Sequence, residues 1–362
     1  MSWSLRKKNP ELPLAVFDIG GGSVSALLLT GDSERRIFWH SSLPLSFGRH
    51  ENFQAFTSET FGLLDTLADR LRTIEPGPVG AVHCLLSSPW HIAEARRTDI
   101  IDIEPSGLVE SSLARLSDQA LARHISRHSS DGFVPVPLDN VIMLAELDGK
   151  SVQNLRRQPG KNLIVHHFLS STDQKIKRRL SERLQSKFYH QTPQFHSNLL
   201  STWSVIREAW PETEDFIILD VSGELTDLSV VRCGVIFDIA SFPIGKYTIA
   251  RRLAAKSGES PLTTYAALKL RAENLLHEAE REHFDLLLHE PKNEWLYSLV
   301  EFLAAVEHPG KKLPLVVVGD DAASLALVGE EILPRQHGPL GQEEEYLRDL
   351  LLDGELLPRH LA

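Results

Sequence analysis

The sequence predicts an α/β protein of two lobes with a small inserted α+β unit, and three observations lead there. The chain has 362 residues, long for one core and enough for two lobes that each bury an apolar centre. It contains two strand–aspartate–glycine-turn–strand units far apart in the chain, at Asp18 and at Asp220. Near the end, a short apolar run finishes in Gly319 before a helix-like stretch, as strands of a partly parallel sheet do.

Taken in order, residues 14–30 read as an apolar strand, a glycine turn and a second strand. Residues 56–74 have helical spacing, with Phe61, Leu64, Leu67 and Leu71 on one face. Residues 79–87 are strand-like and are expected to run on through Pro89 and Trp90 into 91–97. Pro105 and Ser106 introduce a helix over 108–124. Residues 140–147 and 163–169 read as strands, with Asp148-Gly149-Lys150 turning the chain after the first, and an amphipathic helix over 174–186 follows. Residues 195–209 read as a helix stopped by Pro211. Strands over 216–221, 225–231 and 235–240 form a meander with a tight turn at Gly234. From 246 to 306 the pattern is helical throughout, 265–281 being the longest stretch. A last strand covers 313–318, a helix begins over 322–327, and the chain after Pro334 is acidic, densest at Glu343-Glu344-Glu345.

Composition excludes several classes. Hydrophobic content of 42% and charged content of 24% are those of an ordinary globular protein. A net charge of −11 argues against nucleic-acid binding, which needs clustered Lys and Arg. The basic run at 6–8 lies before the expected start of the fold, and that at 175–179 reads as a solvated helix face. Cys84 and Cys233 lie in apolar runs and are expected to be buried thiols, since two isolated cysteines make no zinc spacing. No secretory signal and no membrane-spanning run is evident, so the protein reads as cytoplasmic. Trp90 is expected to pack inside. His166 and His167, adjacent on a strand, face opposite ways and cannot share one ion; a satisfied or exposed pair is expected.

The chemistry concentrates in the turns. In Asp18-Ile19-Gly20-Gly21-Gly22-Ser23 a carboxylate at a strand end can hold a hydrated Mg²⁺, while the glycines bring backbone N–H groups close to phosphate oxygens. A strand and not a helix follows, so this is no dinucleotide fingerprint. Asp220-Val221-Ser222-Gly223-Glu224-Leu225-Thr226-Asp227 repeats the design. The strand ending at Gly319 presents its carboxyl end, where ligands of parallel sheets sit.

The order of these three elements resembles the actin, Hsp70 and sugar-kinase superfamily, and its FtsA and PilM branch in particular. The stretches "DVSGELTDLSVV" and "GVIFDIASFPIGKYTIARRLA" are similar to that branch's second phosphate loop with its following meander and helix, and "PSGLVESSLARL" resembles the helix of its inserted strand–helix–strand unit. The likeness spans 13–330. It implies the actin-like (ribonuclease H-like) two-lobed fold with a small inserted α+β subdomain. The first lobe would comprise 13–80 and 171–215, the insert 81–170, the second lobe 216–333 with a helical subdomain over about 246–310, and an acidic tail 334–362. It also implies ATP and Mg²⁺ as cofactors. Asp18 and Asp220 would hold the metal. Gly20, Gly21, Gly22, Ser23, Gly223, Glu224, Leu225 and Thr226 would hold the phosphates, and Gly319 with Asp320 the adenosine.

The chain departs from the branch in places. Gly319-Asp320-Asp321 stands where paired glycines are usual, Ser23 where a lysine is common, and Gly245-Lys246 where a second glycine is common; Lys246 is expected to face solvent. Gln194, His196 and Ser201 are the candidates for positioning water, none in a convincing context, so turnover is expected to be slow or absent. The resemblance implies a cytoplasmic scaffold that recruits protein partners. These would be an FtsZ-like protein in cell division, or a pilus membrane protein's cytoplasmic peptide in type IV pilus assembly, with self-association as a further mode. The acidic tail argues against direct membrane binding and for a link to the inner face of the membrane through a partner. The rival class is an enzyme of the same superfamily, a sugar kinase or an exopolyphosphatase-like phosphatase.

Overall fold

The computed structural model describes residues 12–32, 36–48, 52–101, 110–152, 161–189, 191–305 and 313–319. The basic run at 6–8, the helix start expected at Pro105 and Ser106, Asp320, the helix expected over 322–327 and the acidic tail lie outside these residues.

The chain opens with β1 (Leu14–Ile19), β2 (Ser23–Leu29) and β3 (Ile37–Pro44), an antiparallel meander. Helix α1 (Phe53–Ile74) follows, its N-terminus capped by the Asn52 side chain, which accepts from Ala55 N at 2.9 Å. Its buried face carries Phe56, Phe61, Leu64, Leu67 and Leu71, as the spacing predicts. Strand β4 (Ala81–Leu86) then lies parallel to β1.

The expected run through Pro89 into 91–97 is instead a change of sheet. A turn with a cis Ser88–Pro89 bond separates β4 from β5 (Ile92–Ile101). Helix α2 (Glu110–His128), β6 (Pro135–Leu147), β7 (Lys150–Ser151) and β8 (Asn162–Asp173) complete an antiparallel sheet of order β5-β8-β6-β7. This sheet therefore begins at Ile92 and not at Ala81, because β4 is held by β1.

Helix α3 (Gln174–Lys187) is capped by Asp173, and β9 (Gln194–Ser197) pairs parallel with β4. The helix expected over 195–209 gives up its first residues to that strand, and α4 (Asn198–Ala209) starts after the Ser197 cap. The first sheet is thus β3-β2-β1-β4-β9.

The second lobe repeats the plan. Strands β10 (Phe216–Val221), β11 (Thr226–Arg232) and β12 (Val235–Phe242) form a meander. Helices α5 (Lys246–Ser257), α6 (Pro261–Ala272) and α7 (Glu278–Ala305) lead to β13 (Leu315–Val318), parallel to β10. The sheet order β12-β11-β10-β13 mirrors β3-β2-β1-β4. The stretch 265–281 is not one helix: α6 ends at Ala272, and Asn274 adopts a positive φ of 57°. Among the described residues no helix is long and apolar enough to cross a membrane. Cys84 is buried on β4, whereas Cys233 is exposed in the β11–β12 turn at a φ of 48°, contrary to expectation.

Candidate functional site

The two glycine turns, each placed by an antiparallel strand pair, meet. A Cβ added at Gly22 would sit 2.6 Å from Gly223 N, and one added at Gly223 would sit 2.6 Å from Gly22 Cα. Real Cβ atoms do not approach that closely, so these two positions require glycine for the turns to touch. The contact is tied down by side chains. Tyr247 donates its hydroxyl to Gly22 O at 2.9 Å, and Trp90 donates Nε1 to Gly20 O at 2.9 Å. Within the turns, Gly20 N donates to Ser23 O and Ser222 N to Leu225 O, each at 3.0 Å.

The strands leading into these turns bring Asp18 and Asp220 together. Asp18 lies on the opposite face of β1 from Ala15, Phe17 and Ile19. The residue as a whole keeps some exposure, yet its Oδ1 is sealed and has no hydrogen-bond partner among the described residues. Burial pushes its pKa up to about 6. Asp220 is raised to about 7, first by burial, then by the charges of Asp227 and Asp18, with Lys246 opposing. Asp227, its register partner across β10 and β11, is raised by burial against hydrogen bonds from Ser241 and Ser88. Three carboxylates whose burial disfavours their charge form a site that a cation would stabilise. The unpartnered oxygen and the all-oxygen donor set fit a hydrated Mg²⁺.

A cavity of about 410 Å³ opens beside this cluster, lined by Ser87, His91, Asn198, Leu225, Asp220 and Asp227 among others. It lies where β4, β9, β10 and β13 end, with Val318 at its edge. This is the carboxyl-end position that parallel strands offer to ligands, and the volume falls in the range of small-molecule sites. His91 Nε2 lies 3.1 Å from Ser197 Oγ, Nδ1 is buried without a partner among the described residues, and burial lowers the ring's pKa.

Several expected residues take other roles. Glu224 points to α5, where Arg251 grips its two oxygens at 2.8 and 2.6 Å. Thr226 is buried in the core: its hydroxyl donates to Ile244 O at 2.7 Å and accepts from Trp295 Nε1 at 2.9 Å. Lys246 is fully buried and not solvent-facing, its charge acting on Asp220. Gly319 is exposed just beyond β13. None of Gln194, His196 and Ser201 lines the cavity; His196 lies 3.4 Å from Asp139 Oδ1, and Ser201 donates to Ser197 O. Trp90 is buried as expected, stacked on Phe56. His166 and His167 are both buried, and neither ring nitrogen of His167 has a partner among the described residues, contrary to a satisfied or exposed pair.

The sequence reading missed His91, Asn198 and Tyr247. Only a helix-start signal at Ser197-Asn198 marks the second, and nothing local marks the other two. Asp227 was inside the quoted motif, and its pairing opposite Asp220 follows from a two-residue-period strand on each side of the turn.

No protein-family model matches the chain, and no curated protein matches it. Solved structures do. A PilM–PilN type IV pilus biogenesis complex is similar over 88% of this chain and 84% of that one, with a TM-score of 0.59 and 13% identity. A Bacteroides thetaiotaomicron protein with an actin-like ATPase fold and unknown function aligns with 89% of this chain and 87% of its own, at a TM-score of 0.45 and 10% identity. The ethanolamine utilization protein EutJ from Carboxydothermus hydrogenoformans aligns with 89% and 84%, at a TM-score of 0.43 and 10% identity.

Proposed function

We propose that this chain, which shares its fold with a PilM–PilN complex, is an actin-like nucleotide-binding scaffold of the PilM type. It binds ATP with Mg²⁺ at the paired turns and recruits a protein partner through the unit of β5 to β8. The observation that carries the reading is the meeting of the two turns beside the Asp18, Asp220 and Asp227 carboxylates. Asp18 and Asp220 would hold the hydrated metal, the amides of Gly21, Gly22 and Gly223 the phosphates, since that of Gly20 is engaged by Ser23 O, and the end of β13 the nucleoside. Mg²⁺ when bound neutralises phosphate and carboxylate charge together.

The scaffold reading is favoured over the enzyme reading because the water-positioning candidates Gln194, His196 and Ser201 stand outside the cavity. Phosphoryl transfer without such a group is slow. The partner is taken to be a cytoplasmic peptide of a pilus membrane protein, in line with the likeness to a PilM–PilN complex, and the chain sits at the inner face of the membrane through that partner.

A thermal-shift titration tests this. Mg-ATP at about a hundred times its Kd stabilises by about 2.7 kcal/mol, so the parent's Tm should rise by several degrees and Asp220→Ala should lose most of the gain. A parent that does not respond sinks the nucleotide reading. Brisk turnover with sugars or polyphosphate sinks the scaffold reading, and capture of an FtsZ-like protein in place of a pilus peptide moves the role to cell division.

A further inference from the structure

Away from the paired turns, the inserted unit brings three metal-ligating side chains together. His124 and His128 stand four residues apart on α2, hence on one face, and that face lies over Glu94 of β5. His124 Nδ1 is 3.0 Å from Glu94 Oε2, and His128 Nε2 is 3.8 Å from the same oxygen. All three donor atoms fall within 4.8 Å of one another. Zinc bonds of about 2.0–2.2 Å in tetrahedral array imply ligand separations of about 3.3–3.6 Å, and the observed spacings of 3.0 and 3.8 Å straddle that range.

The surroundings are built as metal ligands are usually supported. The second nitrogen of His124 lies 2.9 Å from Ser171 Oγ, which fixes the ring's orientation and leaves Nδ1 to face Glu94. The other oxygen of Glu94 accepts from Arg127 at 2.8 Å, with Arg96 3.9 Å away. Arg127 is 62% exposed, so solvent screens much of its charge. A hydrogen-bond network alone accounts for His124, but the 3.8 Å gap to His128 is too long for a hydrogen bond and leaves both atoms within reach of one ion. His124 is sealed while His128 is 28% exposed, so the cluster opens to solvent on one side.

We propose that Glu94, His124 and His128 bind one Zn²⁺-class divalent ion, with water at the remaining position, and that this ion fastens α2 to β5. Two imidazoles and one carboxylate suit zinc better than magnesium or calcium. The proposal rests on no part of the nucleotide reading.

The test uses the full chain stripped of metal and titrated with Zn²⁺ against a chromophoric chelator, and with Co²⁺ followed by its visible spectrum. The parent should take up one tight equivalent, show the intense bands of low-coordinate cobalt, and gain Tm. The chain has 16 histidines, so site-specific loss is the deciding readout. His128→Ala and Glu94→Gln should each lose that equivalent with the circular dichroism unchanged, and Ser171→Ala should weaken it about 10-fold. Absence of a tight equivalent in the parent overturns the proposal, as does undiminished binding by folded His128→Ala. Should His128→Ala fail to fold, the cobalt spectrum of Glu94→Gln decides in the same way.

Discussion

The acidity of single side chains is the property the fold alters most. Asp220 is lifted from 3.8 to about 7 by burial and then by the charges of Asp227 and Asp18, and Asp18 from 3.8 to about 6 by burial, because the strands that hold them carry their carboxylates out of water. For a carboxyl whose folded pKa is raised, the stabilising contribution is fully present below the unfolded value and is lost as pH rises through the folded one. Lowering the pH from 8 to 5.5 without added cation should therefore raise the contribution of this cluster to Tm. Asp220→Asn should raise Tm at pH 8 and flatten the profile between about pH 4 and 7. An unchanged profile in the variant would mean that Asp220 is not the group that titrates. Lys246 belongs to the same account. It is fully buried, and its positive charge works against the rise of the Asp220 pKa.

At the scale of elements, the segment between β4 and β5 joins the site to the inserted unit. Trp90 stands in it, stacked on Phe56 of α1 with ring centroids 5.1 Å apart and donating to the first glycine turn, while Thr172 of β8 donates to Trp90 O at 2.6 Å. One residue thus links a helix, a turn and the third sheet. Trp90→Ala should cost about 3–5 kcal/mol in urea unfolding, whereas Trp90→Phe, which keeps most of the packing and loses the hydrogen bond, should cost nearer 1 kcal/mol. Equal losses for the two would remove the bond to Gly20 from the explanation. Helix boundaries obey the same local physics. Asn274 enters the left-handed region that asparagine tolerates and so stops α6, and Ser197 caps α4 only because β9 has been drawn into register with β4.

Across the whole molecule, the two lobes are bolted together near the turns. Phe47 from the end of the first meander packs against Tyr247 and Tyr265 at centroid distances of 4.4 and 4.6 Å, and the Tyr247 hydroxyl reaches Gly22 O from the other lobe. Arg251, held by Glu224, also donates to Phe47 O at 3.4 Å. Tyr247→Phe should lower global stability by about 1 kcal/mol and Tyr247→Ala by about 3–5 kcal/mol, read by chemical denaturation. If Tyr247→Phe is as stable as the parent, the hydroxyl bond between lobes contributes nothing net.

Much was legible in residue order alone. The apolar alternation of β1, β2, β10 and β11, the glycine turns and the helical face of α1 are local patterns, and local patterns survive without knowledge of neighbours. The two-lobed fold followed from seeing one design twice. Tertiary structure alone decided which strands share a sheet, so that 79–97 divides between two sheets and Phe195 joins a strand. It also decided which side chains turn inward: Lys246, His91 and Tyr247 enter the site, while Glu224 and Thr226 turn away to Arg251 and Trp295. The reason is physical. Burial and partner choice depend on atoms brought close from distant parts of the chain, and no periodicity within one segment records them.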